Sequence, residues 1–183
     1  MMPSILWRRI DDPGHDACRL VQHDAGWKLE GTAVFSLDGL PACLMYTAAC
    51  DASWRAQRGH VSGWIGDRPV EFVIERAAGG AWTLDGADVP GLAHCPDLDF
   101  GFTPATNLLQ LRRLALGEGQ GVHAPAAWLD VSTGALAILD QRYERRSDTI
   151  YWYEAPRFGY AELLEVDAVG FVRRYPGLWQ AEA

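Results

Sequence analysis

Residues 27–37 read WKLEGTAVFSL, with apolar side chains at alternate positions. Trp27, Leu29, Ala33, Phe35 and Leu37 share one face, and Lys28, Glu30, Thr32 and Ser36 share the other. Successive side chains of an extended chain point to opposite faces, so a period of two predicts a half-buried β-strand. Asp38-Gly39 follows at once, a pair suited to the positive φ angles of a tight hairpin turn. The alternation returns in Val70, Phe72 and Ile74 against Glu71 and Glu75, and again from Ile150 to Glu154. Asp12-Pro13-Gly14, Gly79-Gly80, Asp85-Gly86 and Pro176-Gly177 punctuate the runs as turns do. The expectation is a mainly β chain built on a large antiparallel sheet, either curled on itself or in two layers.

One segment departs from that period. Thr103-Pro104 precedes ATNLLQLRRLAL, whose leucines recur at three and four. Thr103 is placed to act as N-cap and Pro104 to occupy N1, where its missing N–H costs nothing, so one short helix is predicted near residues 103–111. No repeat, low-complexity linker or composition break divides the chain, and a single domain over residues 1–183 is expected.

Composition narrows the functional classes. With 49% hydrophobic and 22% charged residues the balance is that of an ordinary globule. A net charge of −8 opposes nucleic-acid binding, which needs a basic stripe. The opening MMPSILWRRIDD lacks an apolar signal core, and no stretch approaches the ~20 apolar residues of a membrane span, so a cytoplasmic protein without a transmembrane segment is expected. Cys18, Cys43, Cys50 and Cys95 lack paired CxxC spacing and are read as buried thiols, with no metal or cofactor expected. There is no GxSxG elbow, HExxH helix or phosphate-cradling glycine loop. The aromatics are spread along the strands, mostly as packing. Trp54, Trp64, Tyr151, Tyr153 and Tyr175 are candidates for stacking on a sugar ring or lining an acyl groove.

Residues 95–114, CPDLDFGFTPATNLLQLRRL, concentrate two carboxylates, a helix start, an asparagine and two arginines. On a strand, Asp97 and Asp99 share a face with Cα atoms about 6.6 Å apart. Two like charges that close raise at least one pKa unless a cation or donors compensate, and Arg112 and Arg113 are available for that.

This stretch resembles the signature of the putative glycolipid-binding family, formerly a domain of unknown function. That pattern runs from a cysteine and an aspartate pair through a TPATN-like turn to an arginine pair. Tyr46, Asp51, Trp54 and Trp128 extend the resemblance, as do Gln141 and Tyr143 in LDQRYER and the segment VDAVGFVRRYPGLW at residues 166–179. Leu109-Gln110-Leu111 departs from an expected Leu-Pro-Ile and lets the helix run further, and Pro96 directly follows Cys95. The resemblance implies a many-stranded antiparallel sheet wrapped like a half-barrel around a single helix, distantly similar to bacterial lipoprotein localisation factors. It also implies a homodimer, an acidic pocket and a role in glycolipid metabolism.

The resulting expectation is non-catalytic binding of a glycolipid or related amphiphile, with an apolar sheet face for the lipid and polar groups for the sugar. The candidate ligand-binding residues are Asp97, Asp99, Asn107, Arg112, Arg113, Gln141 and Tyr143, with Tyr46, Asp51 and Trp54. Gln141 and Tyr143 are expected on one strand face with Ala137 and Leu139. Two alternatives compete: a carboxylate-dependent glycoside hydrolase using the aspartate pair, and a structural dimer without ligand. A purely structural role has Asp99 helping to cap the helix and Arg112 paired internally.

Overall fold

The computed structural model describes residues 2–182. Eight strands follow one another from the N-terminus: β1 (Ser4–Arg9), β2 (Gly14–His23), β3 (Gly26–Leu37), β4 (Leu40–Cys50), β5 (Ala56–Ile65), β6 (Arg68–Arg76), β7 (Trp82–Leu84) and β8 (Ala87–Val89). Each pairs antiparallel with the next. At the two predicted hairpin turns, Asp38 and Gly39 have φ of 52° and 78°, and Asp85 and Gly86 have 52° and 79°. Positive φ at both turn residues matches the right-handed twist of the flanking strands.

The chain then leaves the sheet through β9 (Asp97–Phe100) and α1 (Asn107–Leu114), adds β10 (Gly121–His123) to the sheet's edge, and leaves again through β11 (Ala126–Asp130) and β12 (Ala135–Leu139). It returns through β13 (Arg142–Arg145), β14 (Ile150–Ala155), β15 (Tyr160–Val166), β16 (Val172–Tyr175) and β17 (Trp179–Ala181), with a 3-10 turn at Pro156–Phe158. β17 lies antiparallel to β1, so the two ends of the chain join near the middle of a 14-stranded sheet. The Trp7 indole crosses this seam and donates to the Val172 carbonyl. β9, β11 and β12 form a separate three-stranded sheet in which β9 and β11 are parallel. The large sheet is open, and the helix and small sheet fill its concave side, as the half-barrel expectation requires.

Alternation explains the filling. Leu29, Ala33 and Phe35 are buried with Leu44, Val61 and Ile74, packed on Leu98, Phe100, Phe102 and Leu129. Gly59 makes the approach of β9 possible, because a Cβ there would fall 2.4 Å from the Leu98 methyl. On the other flank, Tyr143, Tyr153, Leu164 and Val172 surround Leu111, Trp128 and Leu139.

Three expectations need correction. The helix begins at Asn107, with Thr106 at the N-cap. Thr103 and Pro104 lie in the preceding turn, where the Thr103 hydroxyl accepts the Ala105 N–H and bonds the Asp16 carboxylate. With no proline at position 110 the helix runs to Leu114. The expected strand through residues 137–143 is also broken at Asp140, where the chain passes from the small sheet to the large one. Finally, Cys18, Cys50 and Cys95 are buried free thiols, but Cys43 is only half-buried, paired between Val34 and Trp64, themselves exposed.

Candidate functional site

The site is built where β9 meets α1. All four residues of β9 are buried. Leu98 and Phe100 pack toward the large sheet, leaving Asp97 and Asp99 to face the helix. Gln110 and Arg113 lie three apart on α1 and therefore on one face. Arg113 reaches Asp97 and Gln110 reaches Asp99, so helix and strand run in opposite directions.

The two aspartates are treated differently. Both oxygens of Asp97 accept from Arg113, at 2.6 and 2.7 Å, a bidentate, charge-assisted pair. Burial pushes the Asp97 carboxyl up, and Arg113 opposes that shift. Asp99 accepts from the Gln110 amide at 3.1 Å, and no cation pairs with it among the described residues. Burial pushes its carboxyl up to about 7, against the Gln110 bond; nearby Asp97 adds to the rise and the Thr106 hydroxyl opposes it.

Gln110 is the hub of a buried polar chain. Its carbonyl oxygen accepts from Tyr143 Oη at 2.8 Å and from the Gln141 amide at 3.2 Å. Asn107 Nδ2 donates to Tyr143 Oη at 2.7 Å, and Tyr153 Oη donates to Gln141 at 2.7 Å. The first five residues of α1 are all buried, a setting that is ordinarily apolar; Asn107 and Gln110 are tolerated because these partners satisfy them.

Beside this chain lies a pocket of about 280 Å³, bordered by Asp99, Asn107, Gly101, Trp128, Tyr153, Tyr160 and Tyr175. Gly101 leaves room for the Trp128 indole, since a Cβ would stand 2.3 Å from Nε1. That nitrogen is a buried donor with no partner among the described residues. Phe158, 55% exposed, packs edge-on against Trp128 at the rim, and the Arg157 guanidinium stands 4.8 Å from the Trp128 ring. A larger depression of about 620 Å³ lies over β1–β4, bordered by Arg19, Glu30, Thr32 and Met45, and contains neither candidate aspartate.

Of the ten residues singled out by sequence, six converge here: Asp97, Asp99, Asn107, Arg113, Gln141 and Tyr143. Four do not. Tyr46 donates to Asp16 at 2.9 Å and also meets Thr103, forming a second buried cluster. Asp51 accepts the backbone N–H groups of Ser53 and Arg55 in the β4–β5 turn. Trp54, with φ of 63°, stacks on Trp27 at 5.3 Å. Arg112 lies over Trp54 and donates to the carbonyls of Val169 and Ala168, clipping α1 to the β15–β16 loop. Sequence reasoning missed Gln110, Thr106, Tyr160 and Asp16 as polar or pocket groups. Asp16 was detectable, because it shares the inward phase of β2 with Cys18 and Leu20.

These features define an open antiparallel half-barrel, filled by a helix and a small sheet, with an aromatic pocket holding a buried carboxyl. The family described as putative glycolipid-binding matches residues 4–181, and the chain belongs to it. A crystal structure of a DUF1089 family protein from Pseudomonas aeruginosa is 27% identical, with 91% of this chain and 91% of that chain covered and a TM-score of 0.78. No curated protein matches the sequence. No helix among the described residues is long and apolar enough to cross a membrane.

Proposed function

We propose that the protein binds an amphiphilic, sugar-bearing molecule without transforming it, with the head group in the Asp99 pocket. The observation that carries this reading is a buried carboxyl without a cation at the wall of a pocket lined by aromatic rings. Aromatic faces pack on sugar rings, and a carboxyl accepts from their hydroxyls. The family name supports a glycolipid-type ligand. Hydrolysis by two carboxyl groups needs an acid and a second carboxylate free to act as base or nucleophile. Arg113 occupies both oxygens of Asp97, which favours binding over hydrolysis.

The test is calorimetric titration with a short-chain glucosyl lipid. Saturable binding that weakens at least tenfold in Asp99→Asn, with the melting temperature kept, supports the reading. No binding by the wild type overturns it, and release of free sugar replaces it with the hydrolase.

A further inference from the structure

We infer that the pocket selects a single uncharged sugar ring, with the Trp128 indole N–H donating to a ring or hydroxyl oxygen and Asp99 accepting from a neighbouring hydroxyl. This rests on the binding role proposed above and names the class of head group.

Four observations carry it. The volume, about 280 Å³, falls just below the ~300–1,000 Å³ of sites for drug-sized ligands. One ring fits such a space, and a complete glycolipid does not. The polarity is also specific. No lysine, arginine or histidine is among the lining residues, the Arg157 guanidinium lying against the Trp128 ring beside them, and the one carboxyl at the wall is Asp99. A phosphate, sulfate or uronate would find no cation among the lining residues to replace its hydration and would meet the Asp99 carboxyl, a cost that a neutral ring avoids.

The third observation is the indole. Trp128 is 7% exposed and its Nε1 lacks a partner, whereas Trp7 and Trp82, also buried, both donate to carbonyls. A buried N–H without a partner is rare and costs stability, so a ligand oxygen that satisfies it gains what the free protein lacks. Trp128 and Asp99 are register partners on the parallel strands β11 and β9. Donor and acceptor therefore arise from neighbouring positions of one sheet, on the same face, as a polyhydroxyl ring with alternating roles requires. The fourth observation is the rim. Phe158 is exposed against Trp128, and an alkyl chain attached to the bound ring has an apolar surface there to leave across.

The test compares octyl β-glucoside with octyl phosphate by calorimetric titration, both below their micelle concentrations. The tails are identical, so the difference reads the head group. The expected result is saturable binding of the glucoside with at least tenfold weaker binding of the phosphate, and a narrower gap in Asp99→Asn. Trp128→Phe, which keeps a ring and removes the N–H, should weaken the glucoside about 5- to 30-fold. The wild-type comparison does not depend on that variant folding. Equal or tighter binding of octyl phosphate overturns the neutral-head-group inference while amphiphile binding stands. A folded Trp128→Phe with unchanged glucoside affinity overturns the indole contact. If neither amphiphile binds, the proposed function fails with the inference.

Discussion

Asp16 and Asp99 are both buried carboxyls with no cation partner among the described residues, and burial raises each to about 7. Their surroundings separate them. Both oxygens of Asp16 meet Tyr46 Oη, at 3.1 and 2.9 Å, and Thr103 also donates to it, so β2, β4 and the turn before α1 are tied together. Asp99 commits one oxygen to Gln110 and borders a pocket. A perturbed pKa thus marks burial in both places, and the open flank is what distinguishes a candidate site from a structural knot.

The largest effect tests what holds the site in place. Arg113→Ala leaves Asp97 charged, buried and unpaired, and breaking such a pair costs about 3–5 kcal/mol; partial exposure of Arg113 places the result near the lower end. Without the cation the Asp97 carboxyl rises further, so the loss should grow from pH 5 to pH 8 in denaturant titrations. A loss of less than about 1 kcal/mol that does not vary with pH would show that the pair is no anchor.

A second effect separates the two raised carboxyls. Below pH 3.8 both folded and unfolded chains hold these protons. Between 3.8 and about 7 the unfolded chain releases them first, so stability falls as pH rises, and above about 7 the fall levels off. The slope is at most about 1.4 kcal/mol per pH unit for each group. Asp16→Asn and Asp99→Asn should each flatten it, but only Asp99→Asn should weaken glycolipid binding. Equal loss of binding in both variants would erase the distinction.

The sequence showed one class of these features clearly. Period-two runs located β3, β6 and β14, because inward and outward side chains there meet a core on one side and solvent on the other. β9 has no such contrast: it lies between the large sheet and the helix, and all four residues are buried. The helix start shifted because the Thr103 hydroxyl bonds a residue 87 positions away, a competitor that local propensity does not contain. Gln110 stood out only as part of a departure from an expected Leu-Pro-Ile, and its value depends on Tyr143 and Gln141 arriving from β13 and the segment before it. Pairwise meetings between distant strands were what the sequence could not order.

The smallest expected effect concerns the rim. Phe158 is 55% exposed on the 3-10 turn, and its ring touches Trp128 edge-on at 5.5 Å. Removing an exposed side chain should change stability by less than about 0.5 kcal/mol. If the rim carries the alkyl chain, Phe158→Ala withdraws apolar contact from the ligand's tail and leaves its ring contacts untouched. Burial of one methylene is worth about 0.8 kcal/mol, so losing cover over one or two of them should weaken octyl glucoside about 4- to 15-fold. Methyl glucoside, which has no tail to cover, should bind wild type and variant alike. Measuring both ligands on both proteins isolates the term: a loss confined to the octyl compound assigns the tail to Phe158. An equal loss for both would instead mean that Phe158 acts through the Trp128 ring it supports, drawing the rim into the pocket.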